Sequence, residues 1–271
     1  MEAVRKSGLS IEARELPAEE LSSTIEELAK EGVRRVAVAG GDGTVAIAAG
    51  LASKLSFELA VIPGGTLNHL ATDLGIPESL EEALRLAIAG EAQPIDAGTV
   101  NGQLFLNTSS VGTYVTFVRM RERLERYLGY RLASLVAGIR LLLRPRLFTV
   151  EVEIEGQLRS DVTPLVFIGV GERELKLPTL GGRAKGGRRG LHLMIVRGRS
   201  PARIAALAFA AAARGTRSAA QSPALDAFVV NRLTIRMRRA RGFVATDGEL
   251  HAMSSPLEYR WVPGAVKVVV P

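Results

Sequence analysis

The chain has 271 residues and no cysteine, which excludes disulfide bonds and thiolate metal sites. Its 35 lysines and arginines outnumber its 28 aspartates and glutamates, and the net charge of +7 favours phosphate groups, nucleic acid or an anionic membrane surface as partners. Aromatic residues make up only 5%, and no nucleic-acid-binding module is recognisable, so we expect no nucleic acid partner.

The first third of the sequence alternates helices with short apolar strands. A helix is predicted to begin at Pro17, because proline suits the first helical turn, and to end at Gly32. The apolar runs Val36–Ala39 and Leu59–Ile62 lack polar alternation, which is typical of strands covered on both faces. This order predicts an α/β fold with a doubly wound parallel sheet.

Beyond residue 94 the pattern changes to strands of the antiparallel kind. The stretch Leu147–Gly156 alternates apolar and polar residues, and one long helical segment, Phe117–Leu143, interrupts the strands. We therefore predict two domains, with residues 1–94 forming the α/β domain and residues 95–271 a mainly antiparallel β-sandwich. The closing strand is a candidate to return to the first domain.

A glycine-rich turn, Gly40–Thr44, follows the first predicted strand directly. Parallel sheets bind ligands at this edge, and glycines there expose N–H groups and admit a phosphate without a Cβ clash. Asp42 would repel a phosphate unless Mg²⁺ bridges the two, so it is a candidate metal ligand. The alternative is a simple tight turn. The predicted phosphate contacts in this turn are Gly40, Gly41, Gly43 and Thr44.

A second turn of the same kind follows the next strand, in the sequence Pro63–Asn68. Two neighbouring parallel strands would bring both turns to one edge of the sheet. Thr66 could cap the following helix or donate to a phosphate, and Asn68 could do either. The pair of turns is more specific for a phosphate site than either turn alone.

Together the two turns resemble the diacylglycerol kinase catalytic family, lipid kinases that also include sphingosine kinases and bacterial relatives. Ile95–Gly112 is similar to the family's segment entering its second domain, Ala245–Leu250 to its Asp-Gly-Glu motif, and Trp261–Pro271 to its closing strand. The resemblance covers about residues 33–271. It implies a nucleotide-binding α/β domain and a β-sandwich domain for a lipid substrate, with the active site in the inter-domain cleft.

The resemblance also implies chemistry: ATP as phosphoryl donor, Mg²⁺ as cofactor and a lipid alcohol such as diacylglycerol as acceptor. Asp42 and Asp96 would belong to an aspartate–water–Mg²⁺ network, and Asp247 or Glu249 would supply the catalytic base. The nucleotide-binding residues that it implies are Gly40, Gly41, Asp42, Gly43, Thr44, Gly65, Thr66 and Asn68.

A general base in the Asp-Gly-Glu motif agrees with the chemistry, because phosphoryl transfer needs a group that accepts the hydroxyl proton. Gly248 would let the backbone turn between the two acids. The alternative is a structural role for Asp247-Gly248, since Asp-Gly favours a hairpin turn, here between Arg241–Thr246 and Leu257–Val262.

The start of the chain departs from the family pattern. No first strand with an Asn-Pro-rich loop is recognisable, and Ser7–Pro17 resembles the family's second strand. The alternative to a kinase is therefore a catalytically impaired relative that binds nucleotide or lipid. NAD kinases and phosphofructokinases share the Gly-Gly-Asp-Gly turn, but should not carry the Pro63–His69 and Ala245–Glu249 sequences in this order.

Basic residues suggest where a membrane could bind. Arg188 and Arg189 stand where relatives often carry metal-binding aspartates, with His192 nearby, so we predict no structural metal there. That segment is either a basic loop for anionic lipid headgroups or a solvated loop. In Val118–Arg146, core packing explains the leucines most simply, and a basic amphipathic face towards a membrane is the alternative. The predicted location is cytoplasmic and peripheral to a membrane. The sequence leaves open whether the protein forms a homodimer.

Overall fold

The computed structural model describes residues 13–66, 68–143, 147–154, 156–175, 180–184, 186–196, 225–237 and 240–271. The described residues form two compact units. The first comprises the chain up to Ala97 together with Val262–Pro271, and the second comprises Gly98–Trp261. Most of Ser7–Pro17 lies outside the described residues.

The first unit is an α/β structure with parallel strands, so the predicted fold class is confirmed for it. Strand β1 (Arg35–Gly40) pairs in parallel with β2 (Glu58–Pro63), and β2 pairs in parallel with the C-terminal part of β16 (Leu257–Val270). A short 3₁₀ turn, Ala18–Glu20, precedes the first helix. The elements are α1 (Leu21–Lys30), β1 (Arg35–Gly40), α2 (Asp42–Leu55), β2 (Glu58–Pro63), α3 (His69–Leu74), α4 (Leu80–Ala89), the start of β3 (Glu91–Val100) and the end of β16 (Leu257–Val270).

The two predicted parallel strands differ in burial. Residues Leu59–Ile62 of β2 are all buried, as expected for a strand covered on both faces. That expectation is wrong for β1, where Val36 and Val38 are buried but Ala37 and Ala39 are exposed. Among the described strands β1 pairs with β2 alone, so it lies at an edge, and its outward residues are small enough to leave exposed at little cost.

An arginine ties the end of helix α4 to the parallel sheet. The Arg35 guanidinium donates to the Glu58 carboxylate at 2.8 Å and to the carbonyl oxygens of Ala87 and Ile88 at 3.1 and 3.0 Å. A cation suits the last carbonyls of a helix, which carry partial negative charge. Arg35 thus satisfies helix carbonyls that would otherwise lack partners.

The second unit is the predicted antiparallel β-sandwich. Its strands are β4 (Gln103–Phe105), β5 (Thr108–Gly112), β6 (Phe148–Ile154), β7 (Gln157–Thr163), β8 (Leu165–Val170), β9 (Arg173–Leu175), β10 (Leu180–Arg183), β11 (Leu191–Val196), β12 (Leu225–Val230), β13 (Arg232–Met237), β14 (Arg241–Thr246) and β15 (Glu249–Ser254). The six-stranded sheet has the order β12-β11-β8-β5-β14-β15, and the other sheet pairs β7, β6, β13 and the start of β16.

The core of this unit lies between its two sheets. Buried valines, isoleucines and leucines from both sheets form one cluster around Phe105 and Tyr259, whose rings pack edge to face with centroids 6.2 Å apart. The Tyr259 hydroxyl lies 3.0 Å from the Ser109 hydroxyl, and burial raises the pKa of Tyr259 well above its ordinary value. The buried phenol therefore stays neutral and hydrogen-bonded.

One helix, α5 (Thr113–Leu143), interrupts the strands as predicted, but it is not continuous. Gly129 has φ 69° and ψ 164°, which is not helical, and it divides α5 into two helical segments. Only glycine adopts this conformation easily, so the break is encoded at Gly129. The first segment lies against β14, where the Arg119 guanidinium stacks 3.8 Å from the centre of the Phe243 ring.

Candidate functional site

The two glycine turns of the first unit are in direct contact. A Cβ atom added to Gly65 would lie 2.6 Å from the Cα of Gly41, and one added to Gly64 would lie 3.2 Å from the Cα of Gly40. The Gly64 N–H also donates to the Gly40 carbonyl at 3.0 Å. The strand register places Gly40 opposite Pro63, so both turns leave the same edge of the sheet. Only glycine allows backbones to approach this closely.

The first turn opens directly into helix α2. Gly41 is the N-cap, with extended backbone, and the first helical bond runs from the Val45 N–H to the Gly41 carbonyl at 3.0 Å. The N–H groups of Asp42, Gly43 and Thr44 therefore have no partner within the helix. Three such groups at the positive end of a helix form a binding site suited to an anion.

Gly40 has a further steric role. A Cβ atom on Gly40 would lie 2.7 Å from the Cβ of Thr44, so the Thr44 side chain packs over the Gly40 backbone. Sequence reasoning assigned Gly40 to phosphate approach, and the structure adds this internal contact.

The second turn is braced by Asn68. The Asn68 Oδ1 accepts from the Gly65 N–H at 2.8 Å, and its Nδ2 donates to the Gly65 carbonyl at 2.9 Å. Asn68 itself has φ 47°, a left-handed conformation that asparagine tolerates better than most residues. Thr66, inside the closed turn, is exposed. The turn thus presents Thr66 at its surface while Asn68 holds its shape.

The predicted metal ligands occupy separate places in the first unit. Asp42 is the first residue of α2, and Asp96 lies in β3, where its Oδ1 accepts from the Gly264 N–H at 3.0 Å. Within the described ranges, no cluster of three or more histidine or acidic side chains is arranged to hold a metal ion. Mg²⁺ commonly uses one or two carboxylates and completes its shell with water and substrate phosphate, so Asp42 suits a metal carried on a phosphate.

In the second unit, Asp247 forms the turn between β14 and β15. Asp247 and Gly248 have φ 48° and 91°, and Thr246 pairs with Glu249, as in a two-residue hairpin. Asp247-Gly248 therefore forms a hairpin turn, which was the alternative to a catalytic role. The turn leads to β15 and not to Leu257–Val262 as predicted. The turn does not exclude a chemical role, because the Asp247 side chain points back into the protein.

The Asp247 carboxylate is held by three backbone N–H groups. Its Oδ2 accepts from Leu106 at 2.7 Å, and its Oδ1 accepts from Asn107 and Thr108 at 2.8 and 2.9 Å. The Asp247 N–H in turn donates to the Thr108 carbonyl at 2.8 Å. A carboxylate has about four acceptor positions, so one position, on Oδ2, is left for a further donor.

The surroundings of Asp247 act on its pKa in opposite directions. Burial raises the pKa of the Asp247 carboxyl above its ordinary value, while the three N–H groups and the positive charge of Arg173 lower it. A raised pKa suits a carboxylate that must accept a proton near neutral pH. Glu249, in contrast, is exposed and lies 4.0 Å from His251. The two acids of the motif therefore have different environments.

A buried arginine that sequence reasoning missed completes this region. Arg173 is 3% exposed and donates to the carbonyl oxygens of Asn107 and Val170 at 2.9 and 3.0 Å. The Asn107 peptide is thus held at its N–H by Asp247 and at its carbonyl by Arg173. The available signal was a charged pair, Glu172-Arg173, one residue after a strand without polar side chains, Leu165–Val170.

The basic segment near Arg188 makes internal contacts. The Glu172 carboxylate accepts from the Arg188 N–H at 2.9 Å, which holds the pKa of Glu172 below its ordinary value, and the Arg189 guanidinium lies 5.5 Å from the Trp261 ring centre. His192 is 7% exposed, and its Nδ1 accepts from the Arg173 N–H at 2.9 Å. His192 therefore acts as a structural acceptor and carries its proton on Nε2.

Comparison with known proteins agrees with the resemblance. Residues 2–100 match the family model of the diacylglycerol kinase catalytic domain. The chain is 43% identical over 112 residues to a probable lipid kinase YegS-like protein of Enterobacter sp. (strain 638). That alignment covers 39% of this chain and 37% of the relative. It is 37% identical over 134 residues to the lipid kinase YegS of Escherichia coli (strain K12). That alignment covers 46% of this chain and 44% of the relative. The chain thus aligns with less than half the length of these relatives.

The fold is shared over a longer span. The crystal structure of a diacylglycerol kinase from Bacillus anthracis str. Sterne matches with a TM-score of 0.70 over 95% of this chain and 84% of that one, at 22% sequence identity. The predicted two-part architecture, an α/β unit and an antiparallel β unit, is confirmed. None of the helices in the described part of the chain is both long and apolar enough to cross a membrane.

Proposed function

Because residues 2–100 match the diacylglycerol kinase catalytic domain, we propose that this chain is a lipid kinase. In this proposal it transfers the γ-phosphoryl group of ATP to the hydroxyl of a lipid alcohol such as diacylglycerol. The acceptor oxygen bonds to the γ-phosphorus, the bond from that phosphorus to the bridging oxygen breaks, and ADP leaves. The hydroxyl proton needs a base on the protein.

The contact between the two glycine turns is the observation that carries the proposal. Gly40–Gly41 and Gly64–Gly65 touch through their backbones and leave one edge of the parallel sheet, beside the first turn of α2. The N–H groups of Asp42, Gly43 and Thr44, which have no partner within the helix, suit phosphate oxygens. Phosphate binding at this edge is the property that a nucleotide-dependent kinase requires.

Asp42 is the residue that we propose to hold Mg²⁺, with Asp96 as a partner through water. Both are hard oxygen ligands, as Mg²⁺ prefers. When bound, Mg²⁺ would neutralise phosphate charge and offset the repulsion between Asp42 and the nucleotide. The residues Gly43 and Thr44 would contribute N–H groups to the same phosphates.

Asp247 is the base that we propose for the acceptor hydroxyl. Its carboxylate is fixed by three N–H groups and retains one acceptor position on Oδ2. Burial raises its pKa, which favours proton uptake from an alcohol. Glu249 is exposed, so we assign it a role in orienting substrate and not the first proton transfer.

A lipid acceptor also requires contact with the surface where lipids reside. We propose that the protein binds an anionic membrane peripherally, which agrees with its net charge of +7. This contact would bring the enzyme to a substrate that does not leave the bilayer.

The test is phosphoryl transfer from γ-labelled ATP to a panel of lipid alcohols, NAD and sugar phosphates, with Mg²⁺. We expect label in a lipid alcohol alone. Label only in NAD or a sugar phosphate would refute the lipid assignment. Calorimetry with ATP and Mg²⁺ is run in parallel, and binding without transfer to any acceptor would identify a nucleotide-binding protein without kinase activity.

A further inference from the structure

The second segment of α5 turns its largest apolar side chains to solvent. Leu132, Leu135, Val136 and Ile139 are 48%, 58%, 38% and 50% exposed. Their spacing of i, i+3, i+4 and i+7 places them on one stripe of the helix, which we name the leucine face. Core packing was the simplest explanation of these leucines from sequence, and their exposure shows that it is wrong.

Small residues occupy the side of the segment that packs against the protein. Ala133 and Ala137, one helical turn apart, are both fully buried. At 100° per residue they lie about 130° from the centre of the leucine face. The segment therefore packs against the protein through its alanines and leaves its leucines in solvent. Contiguous exposed apolar side chains of this kind mark a surface that binds a partner or a membrane.

The charge around the leucine face has one sign. Residues 126–146 contain five arginines and no aspartate or glutamate. Arg140, next to Ile139 and one turn beyond Val136, is exposed, as is Arg126 before the break at Gly129. An apolar stripe with the exposed arginines Arg126 and Arg140 on the same helix matches a surface that is negatively charged at its boundary and apolar beneath it.

We propose that the leucine face inserts into the headgroup region of an anionic bilayer, with the flanking arginines on lipid phosphates. The inference rests on the proposed function in that it names the surface through which a lipid kinase meets its substrate. A two-fold contact between two copies through this face would bring the exposed Arg126 and Arg140 of one copy towards those of the other, which disfavours a self-associated dimer.

The first experiment is vesicle sedimentation. The wild-type chain is mixed with vesicles of 30% phosphatidylglycerol in phosphatidylcholine, or of phosphatidylcholine alone. The triple variant Leu132→Ser/Leu135→Ser/Ile139→Ser is compared with a control, Ile47→Ser/Ile88→Ser/Leu158→Ser, which alters three exposed apolar residues elsewhere (40%, 46% and 60% exposed). We expect the leucine-face variant to lose affinity for anionic vesicles by about tenfold or more, since each buried apolar side chain contributes. Equal losses in both variants would overturn the proposal.

The second experiment uses the absence of cysteine from the chain. Leu135→Cys and, as control, Leu158→Cys are each labelled with an environment-sensitive fluorophore. Anionic vesicles should shift the emission to the blue at position 135 and not at position 158. Blue-shifted emission at position 135 without vesicles would mean that the leucine face is already covered. A shift at all protein concentrations would assign the cover to the same chain, and a shift only at high concentrations would assign it to a second copy. Either result would overturn membrane insertion.

A substrate comparison separates this inference from the proposed function. A short-chain diacylglycerol that is monomeric in water needs no membrane docking, so the leucine-face variant should phosphorylate it at the wild-type rate. On long-chain diacylglycerol in anionic vesicles, the same variant should lose most of the wild-type turnover. If the wild-type chain phosphorylates neither substrate, the proposed function fails, and vesicle binding still decides the docking surface.

Discussion

A Cβ atom on Gly65 would lie 2.6 Å from the Cα of Gly41, closer than non-bonded carbon atoms approach. Gly65→Ala should therefore force the two turns apart, at a cost of about 1–3 kcal/mol in unfolding free energy. We expect ATP binding to fall with it, because the N–H groups of the two turns would no longer share one edge. Urea unfolding and calorimetry with ATP measure the two effects.

A second glycine provides the control. A Cβ atom on Gly50, in α2, would have no heavy atom within 4 Å. Gly50→Ala should leave ATP binding unchanged and stabilise the protein by up to about 1 kcal/mol, because alanine favours a helix. If Gly65→Ala behaved like Gly50→Ala, the close approach of the turns would have no part in nucleotide binding.

Asn68 offers a test of the turn without a steric clash. Asn68→Gly keeps the left-handed backbone accessible but removes both hydrogen bonds to Gly65, so we expect a loss of about 1–2 kcal/mol in unfolding free energy. Asn68→Ala should lose more, because alanine at φ 47° adds backbone strain. Thermal unfolding of the pair gives the order. Equal stabilities would show that strain at this position is negligible.

Much of the first unit could be predicted from local sequence. Apolar strands that run into Gly-Gly turns predicted parallel pairing, and the register of β1 with β2 shows why both turns meet at one edge. The burial of β1 could not be predicted in the same way. An apolar run indicates a strand, but not whether a neighbour covers its second face, which depends on residues distant in sequence.

The second unit was predicted less completely, for two physical reasons. The three donors to Asp247 lie 139–141 residues away in sequence, so no local pattern indicates that its carboxylate points inward. In α5, the periodicity of Leu132, Leu135 and Ile139 indicates an apolar face but not which way it points. Exposure depends on which side of the helix packs against the rest of the protein, and here the buried side carries Ala133 and Ala137.

His192 should make stability depend on pH. Burial lowers the pKa of His192 below its ordinary value, as do the charges of Arg188 and Arg173, while Glu172 raises it. The unfolded chain therefore binds the proton more readily, so stability is complete above the unfolded pKa of about 6.5 and falls as pH drops below it. Urea unfolding between pH 8 and pH 5 should show this loss.

Replacing the His192 imidazole tests whether this side chain causes the pH dependence of stability. His192→Gln can still accept the Arg173 N–H but does not titrate, so its stability should change less between pH 8 and pH 5. His69→Gln, the same substitution at an exposed histidine, is the control. An unchanged slope in His192→Gln would assign the pH effect to other groups.

Asp247→Asn tests the proposed base. We expect turnover to be lost while ATP affinity stays within a few-fold, because the nucleotide contacts that we propose lie in the other unit. The amide also replaces one acceptor oxygen with a donor, which would face either the Leu106 N–H or those of Asn107 and Thr108. Unfolding free energy should therefore fall by about 1–3 kcal/mol, and turnover must be normalised to the folded fraction.

Glu249→Gln distinguishes the two acids of the motif. Glu249 is exposed, so this variant should keep wild-type stability and measurable turnover. Because a base loses its effect when its protonated form dominates, activity that depends on Asp247 should fall on acidification, and the acidic limb should persist in Glu249→Gln. If Glu249→Gln abolished turnover and Asp247→Asn retained it, the proton acceptor would be Glu249. The three N–H donors to Asp247 would then serve only to anchor the turn to Leu106, Asn107 and Thr108.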